Sequence, residues 1–264
     1  MRKLNWGIIG LGNVAQKFLE GFHGVENSNL LAIASKSETK TLKFKNQFQI
    51  NEEFVFNKYE DLLNCKDVDI IYISLPNSYH YEWILRSIEK NKKVLVEKPA
   101  TLNFEEAQKL SEIIKKKNIF FNEGFMYRHD TQIKKIIELI KRNEIGELLS
   151  MESSFGVNIL TKKKFYFFQK EKKIDKSSRQ FDNQLGGGCI LDLGCYPTSL
   201  SLLICSLVKN INYNKFKITN LVRGIGSTGV DINAEAKIIF DNSFNAKVKA
   251  SFKKNLGNNT IIKG

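Results

Sequence analysis

The run Leu4-Asn5-Trp6-Gly7-Ile8-Ile9 passes directly into Gly10-Leu11-Gly12-Asn13-Val14-Ala15, and a helix-like Gln16-Lys17-Phe18-Leu19-Glu20 follows. Few patterns restrict a chain so much. Gly-x-Gly-x-x-Ala between a strand and a helix requires a tight turn at the first glycine. It leaves the backbone of the second open to a pyrophosphate, and the small Ala15 lets the helix lie close on the strand. The N–H groups that open the helix then face the phosphates. The stretch predicts a dinucleotide-binding unit, with Gly10, Gly12, Asn13 and Val14 as cofactor contacts.

The second strand, Leu30–Ala34, ends in Ser35-Lys36-Ser37. An acidic residue at this end would hold both hydroxyls of an adenosine ribose and mark NAD. A hydroxyl and a cation suit a 2′-phosphate better, so Ser35 and Lys36 favour NADP, with NAD kept open by the nearby Glu38. The strand-helix rhythm continues through a short strand at Phe54–Phe56 and a short helix at Tyr59–Leu63. Asp69–Ser74 is apolar on both faces, as a central parallel strand should be. It ends in Leu75-Pro76-Asn77, and Ser78 opens a helix over Tyr79–Lys90. Asn103 is placed to cap a helix over Phe104–Lys117, with Glu105 and Glu106 in its first turn. Asn118–Phe121 reads as a sixth strand. This alternation predicts an α/β, doubly wound parallel sheet over residues 1–122.

Within it, Val94-Leu95-Val96 delivers Glu97-Lys98-Pro99 at a strand's carboxyl end. In open α/β sheets ligands sit beyond those ends, so the charged pair faces a ligand and the proline fixes the backbone that carries it. The plain alternative is an exposed ion pair in an ordinary turn.

After Glu123-Gly124-Phe125-Met126-Tyr127-Arg128 the pattern changes. A helix at Thr131–Arg142 precedes strands at Leu148–Val157, Lys215–Val222, Ala234–Phe240 and Ala246–Phe252, with a Lys-rich loop over 161–180 between. Strands in succession predict a second, α+β domain over 123–264 with a largely antiparallel open sheet. Its helix, Gly186-Gly187-Gly188-Cys189-Ile190-Leu191-Asp192-Leu193-Gly194-Cys195-Tyr196-Pro197, places Asp192 and Tyr196 four apart on one face. A carboxylate in so apolar a helix needs a partner. It either faces a site or accepts backbone N–H bonds, with Tyr196 then a core aromatic.

The formal charge of +13 raises a nucleic-acid reading, but only six of 41 basic residues are arginine and the lysines are scattered. The triplets Lys115–Lys117 and Lys162–Lys164 lack interleaved aromatics, so no nucleic-acid partner is expected. Cys65, Cys189, Cys195 and Cys205 form no Cys-x-x-Cys and the histidines lie far from them, so no metal site is expected. The longest apolar run, around Leu200–Val208, is short for a bilayer. With no signal peptide in the first residues, these features predict a cytoplasmic protein without a membrane partner.

The glycine turn, Glu97-Lys98-Pro99 and the Gly-Gly-Gly-Cys-Ile-Leu-Asp-Leu-Gly-Cys-Tyr-Pro helix occur in an order that resembles the Gfo/Idh/MocA family of NAD(P)-dependent oxidoreductases. Glu123–Arg128 and Asp-x-Gly-x-Tyr-Pro are similar to its dihydrodiol and xylose dehydrogenase branch. The resemblance covers nearly the whole chain. It implies a Rossmann domain followed by a domain whose open sheet covers the nicotinamide and often joins subunits, hence a homo-oligomer, dimer or tetramer, through that sheet. It implies cofactor contacts at Pro76, Asn77, His80, Glu97 and Lys98. Lys98, Asp192 and Tyr196 would be catalytic, and Tyr127, Arg128 and Arg179 would contact a small sugar-like substrate.

Chemistry favours the same roles. Oxidising a carbinol requires removal of the hydroxyl proton as hydride departs, and a free tyrosine, with pKa about 10, is a poor base at neutral pH. An ammonium about 4 Å away contributes roughly 4 kcal/mol at an effective dielectric of about 20. That lowers the phenol pKa by up to about three units before desolvation takes some back. Lys98 beside Tyr196 would thus make a workable base, with Asp192 orienting the lysine or a substrate hydroxyl. The expected reaction is hydride transfer between the nicotinamide and a sugar, sugar nucleotide, polyol or diol. Its alternatives are an NAD-retaining epimerase or eliminase and a non-catalytic cofactor-sensing regulator.

Two departures stand out. His129-Asp130-Thr131-Gln132 replaces the aromatic-rich turn usual in this branch. Thr260–Gly264 ends the chain in a strand where relatives run on, so the second domain is expected to be C-terminally truncated, with an exposed sheet edge.

Overall fold

Strand β1 (Leu4–Ile9) runs into α1 (Asn13–Glu20), then β2 (Ser28–Ala34), α2 (Glu38–Phe48), β3 (Val55–Phe56) and α3 (Tyr59–Asn64). The alternation continues through β4 (Ile70–Ile73), α4 (His80–Glu89), β5 (Lys93–Val96), α5 (Phe104–Lys117) and β6 (Phe121–Glu123). The structure, a computed structural model, describes residues 2–163, 169–172, 174–241 and 243–264. The chain divides into two compact units, Met1–Gly124 and Phe125–Gly264.

All six strands of the first unit pair in parallel, in the order β3-β2-β1-β4-β5-β6. The order reverses between β1 and β4, which is where such sheets bind ligands. Alternate side chains of each strand feed two cores. Ile8, Ile33, Tyr72 and Leu95 pack with α1 and α2 residues such as Ala15, Leu19 and Phe44. Ile9, Ala34, Ile73 and Val96 pack with Leu62, Trp83, Ile84 and Leu110 of α3, α4 and α5. Burial on both faces is why these strands read as continuous apolar runs. The Asn103 carboxamide does cap α5, accepting the Glu106 N–H at 2.9 Å. The expected helix at Tyr79 begins one residue later, because Asn77–Tyr79 forms a separate 3₁₀ turn.

The second unit opens with α6 (Thr131–Lys141) and β7 (Ser150–Gly156), followed by β8 (Thr161–Lys163) and β9 (Gln169–Glu171). Then come α7 (Cys195–Cys205), β10 (Phe216–Ile225), β11 (Asp231–Phe240), β12 (Phe244–Ser251) and β13 (Thr260–Lys263). Five strands make one sheet, ordered β10-β11-β12-β7-β13. The sheet is mixed: β7 pairs with β12 in parallel, and the other neighbours are antiparallel. The expected loop over 161–180 contains the antiparallel β8-β9 pair, while its residues 164–168 and 173 lie outside the described residues.

The helical run Asn183–Cys205 is long and apolar enough, by composition, to cross a bilayer. More than half of its most apolar 18-residue window is buried within the protein. Ile204 and Cys205 pack against Met151, Phe244 and Val248 of the sheet, so it behaves as a core helix.

Candidate functional site

At the switch between β1 and β4, Gly10 has φ +89°, and a Cβ there would lie 2.8 Å from the Ser74 carbonyl oxygen. The first glycine is therefore demanded by the neighbouring strand end as well as by the turn. Gly12 is different. Among the described residues a Cβ there would meet nothing within 4 Å, so none of their packing requires glycine, and the backbone beside the α1 N-terminus is left open to a ligand. Ala15 is fully buried on the inner side of α1, as close helix-strand packing requires. This turn fits a dinucleotide pyrophosphate, with Asn13 and Val14 opening α1 beside it.

Beyond β2, Ser35 is buried and its hydroxyl accepts the Ser37 N–H at 3.1 Å. Lys36 is exposed, with its ammonium 5.8 Å from the centre of the Tyr59 ring. Lys36 and Tyr59 line a cavity of about 360 Å³ with Leu75, Pro76, Tyr79 and Arg86. The Arg86 guanidinium lies over Trp83 at 4.9 Å and pairs with Glu60 at 2.9 Å and Glu82 at 2.7 Å. The cavity sits at the carboxyl ends of β2 and β4, where an adenosine would lie in such a fold. Tyr59 of α3 and the pair Tyr79 and Arg86 after β4 escape a motif-based reading, because only the sheet order brings the two segments together.

The Lys98 turn is held from three sides. The Tyr72 hydroxyl donates to the Glu97 carboxylate at 2.6 Å. Burial, and after it the Glu97 charge, push that phenol far above its ordinary pKa, so it stays the donor. The fully buried His80 ring sets Nδ1 2.7 Å from the Pro99 carbonyl oxygen and Nε2 2.8 Å from that of Leu75. Glu123 accepts the Ala100 N–H at 2.8 Å. Glu97 and His80, both expected beside the cofactor, thus make bonds that shape the turn carrying Lys98. Asn77 is buried in the 3₁₀ turn between Pro76 and His80.

In the second unit, Ile190–Gly194 is a π-helical turn that leads straight into α7. Such turns are frequent at functional sites. Asp192 lies in it and Tyr196 just after it. The Asp192 carboxylate is buried and pairs with Arg179 at 3.2 Å. Arg179, expected among the substrate contacts, thus supplies a counter-charge for the helix carboxylate. Gly188 has φ +110°, and a Cβ there would strike the Asp231 carboxylate at 2.6 Å. That carboxylate accepts the Ile190 N–H at 2.7 Å, satisfying a donor at the helix start. The glycine run therefore admits a side chain of the protein itself. Asp231 carried no local signal, since it lies 41 residues from its partner.

Tyr196 is surrounded by rings: Phe155 at 5.2 Å, Phe125 at 5.8 Å and Tyr127 at 6.3 Å between centroids. Tyr127 and Tyr196 also line a cavity of about 780 Å³ with Phe155, Asp130, Leu200 and Asn258. Tyr127 and Arg128, expected to touch substrate, both reach the buried Ser199 hydroxyl, at 2.9 Å and 3.2 Å.

Two domain matches bear on this arrangement. Residues 4–125 match the NAD-binding Rossmann fold of the GFO/IDH/MocA oxidoreductase family, and residues 133–264 match the GFO/IDH/MocA C-terminal domain. The chain belongs to this family. It is 29% identical over 199 residues to a dTDP-3,4-didehydro-2,6-dideoxy-alpha-D-glucose 3-reductase from Saccharopolyspora spinosa, covering 75% of this chain and 55% of that protein. It is 30% identical over 205 residues to the NADP(+)-dependent D-xylose 1-dehydrogenase of Hypocrea jecorina, covering 74% of this chain and 51% of the other. The family fold is also that of a 3-ketoreductase from Actinomadura kijaniata, solved with NADP and TDP-benzene. That structure aligns over the whole chain and 74% of its own, with TM-score 0.82 and 23% identity. The chain spans little more than half the length of these curated relatives. Among the described residues, no group of three or more His, Cys, Asp or Glu side chains is placed to hold a metal ion.

Proposed function

We propose that this family member is a cytoplasmic, NADP-preferring oxidoreductase that moves a hydride between a nicotinamide and a carbinol or carbonyl. The substrate class is a sugar, sugar nucleotide or related polyol or diol. The observation that carries the reading is the β1/β4 switch point: a glycine turn open at Gly12, beside a rigidly held Lys98 at the end of β5. Relatives that act on sugars and nucleotide-linked sugars support the substrate class.

The bound nicotinamide would supply the hydride acceptor or donor. The chain's own residues would handle the proton. In the oxidative direction the Tyr196 phenolate takes the substrate hydroxyl proton, and in reduction the phenol returns it. The Lys98 ammonium stabilises negative charge on oxygen during the transfer, and Asp192 orients a substrate hydroxyl or the lysine. Ser35 and Lys36 receive a 2′-phosphate, with Arg86 a further cation on the same cavity. Assembly through the second unit's sheet agrees with β10, which exposes Ile218, Leu221 and Val222 along an edge strand.

Titration with NADPH and NADH, followed by nicotinamide fluorescence and by turnover on a panel of aldoses, ketoses and diols, tests the reading. NADPH should bind about tenfold tighter, a difference of about 1.4 kcal/mol, and Lys36→Glu should remove that preference. Tyr196→Phe should lower turnover by about 100-fold or more while cofactor binding persists. Full activity in Tyr196→Phe would sink the catalytic assignment. Product formed without net change in NAD(P)H would select an epimerase or eliminase instead.

A further inference from the structure

We infer that Ser199 is a positioning residue that fixes the rotation of α7, and with it the direction of the Tyr196 phenol. The inference rests on the proposed role of Tyr196 for its functional consequence but not for its geometry.

Two features leave the rotation of α7 underdetermined. The π turn at Ile190–Gly194 ends where α7 begins, and a π turn carries one more residue per hydrogen-bonded loop than the α-helix it joins. Re-forming as α would swing all that follows. Apolar patterning constrains this only at the far end of α7, where Ile204 and Cys205 are buried against the sheet; of the leucines, Leu200 and Leu203 are half-buried and Leu202 is exposed. A helix without one clean apolar stripe gains little from one rotation over another.

Buried polar groups choose instead. The Ser201 hydroxyl donates to the Thr198 carbonyl of its own helix, which says nothing about rotation. Ser199, one turn beyond Tyr196, reaches out of the helix. Its oxygen accepts from the Arg128 guanidinium at 3.2 Å and shares a hydrogen bond with the Tyr127 hydroxyl at 2.9 Å. Arginine has no acceptor, so this donor direction is fixed. The segment that supplies both groups also supplies Phe125 and Tyr127, whose rings stand edge-on to Tyr196. One short stretch therefore grips α7 twice, one turn apart: by rings at Tyr196 and by a polar clamp at Ser199. Rotating the helix would take the buried Ser199 hydroxyl away from both partners, which is costly.

The test compares Ser199→Ala, Ser199→Thr and Tyr127→Phe in the whole protein, with tyrosine ring carbons labelled with ¹³C and the Tyr196 signal assigned through Tyr196→Phe. Loss of the clamp should shift or broaden the Tyr196 signal, and kcat should fall about 10- to 100-fold, as misplacement of a reacting group does. KM for the nicotinamide should stay within about twofold, and Ser199→Thr, which keeps the hydroxyl, should recover most of kcat. Tyr127→Phe keeps the ring and removes one partner, so it gives a folded intermediate case should Ser199→Ala not fold. An unchanged Tyr196 signal with wild-type kcat, in whichever of the two folds, overturns the inference. If Tyr196→Phe is itself fully active, the catalytic reading has failed, while the Tyr196 signal still decides the clamp.

Discussion

The Lys98 turn and the Tyr196 helix are held in place by different means. Around Lys98, three buried or half-buried side chains bond to the turn, and two of them bond to its backbone. All three come from strands and helix starts that parallel pairing already lines up. Around Tyr196, the supports are an aromatic cage, an ion pair between the buried Asp192 and the half-exposed Arg179, and a carboxylate cap from Asp231. These lie on no common parallel ladder, with Arg179 13 residues from Asp192 and Asp231 41 residues from Ile190. A strand end in a parallel sheet inherits its position from the ladder, whereas a helix lying on a sheet must be fixed by side chains.

The contrast can be broken in three places. The largest effect is expected at Gly10→Ala, which combines a positive φ with a Cβ 2.8 Å from the Ser74 carbonyl oxygen. It should cost about 2–4 kcal/mol in urea unfolding. A cost below about 1 kcal/mol would show that the strand-end turn is not rigidly set by its neighbour.

A smaller effect belongs to the helix start. Asp231→Ala removes the acceptor of the Ile190 N–H and should cost about 1–2 kcal/mol. It should also perturb Tyr196 ring signals more than those of Tyr72. Equal perturbation of both would mean that the two regions do not differ as the bonding suggests.

The smallest effect is at the far end of α7. Burial, and after it the Asp241 charge, raise the Cys205 thiol from 9.0 to about 11. A thiol that is harder to ionise in the folded state contributes stability that is complete below the unfolded pKa and is lost as pH rises through the folded one. The alkaline limb between about pH 9 and 11 should therefore be shallower in Cys205→Ala than in the parent. An identical limb in both would remove the thiol from the account.

Much of the first unit was legible in the residues, because strand, turn and helix each carry a local signal. Leu4–Ala15 specified the glycine turn, and Val94–Pro99 specified a charged turn at a strand end. The Asn103 cap was written in four consecutive residues. The second unit was legible as succession, strands after a helix, but not as pairing. Nothing in Ser150–Gly156 shows that it runs parallel to Phe244–Ser251, because parallel partners need no turn between them.

The sequence by itself determined the fold class, the glycine turn, and the residue types at 98, 192 and 196, since each depends on short-range periodicity or spacing. Only the tertiary structure decided which groups hold them. Arg179 meets Asp192, Asp231 caps Ile190, His80 braces the Pro99 carbonyl, and Tyr127 and Arg128 converge on Ser199. The physical reason is that a buried polar group must find a partner wherever the packed chain brings one. That partner is set by the folding of distant segments onto each other, which local spacing does not encode.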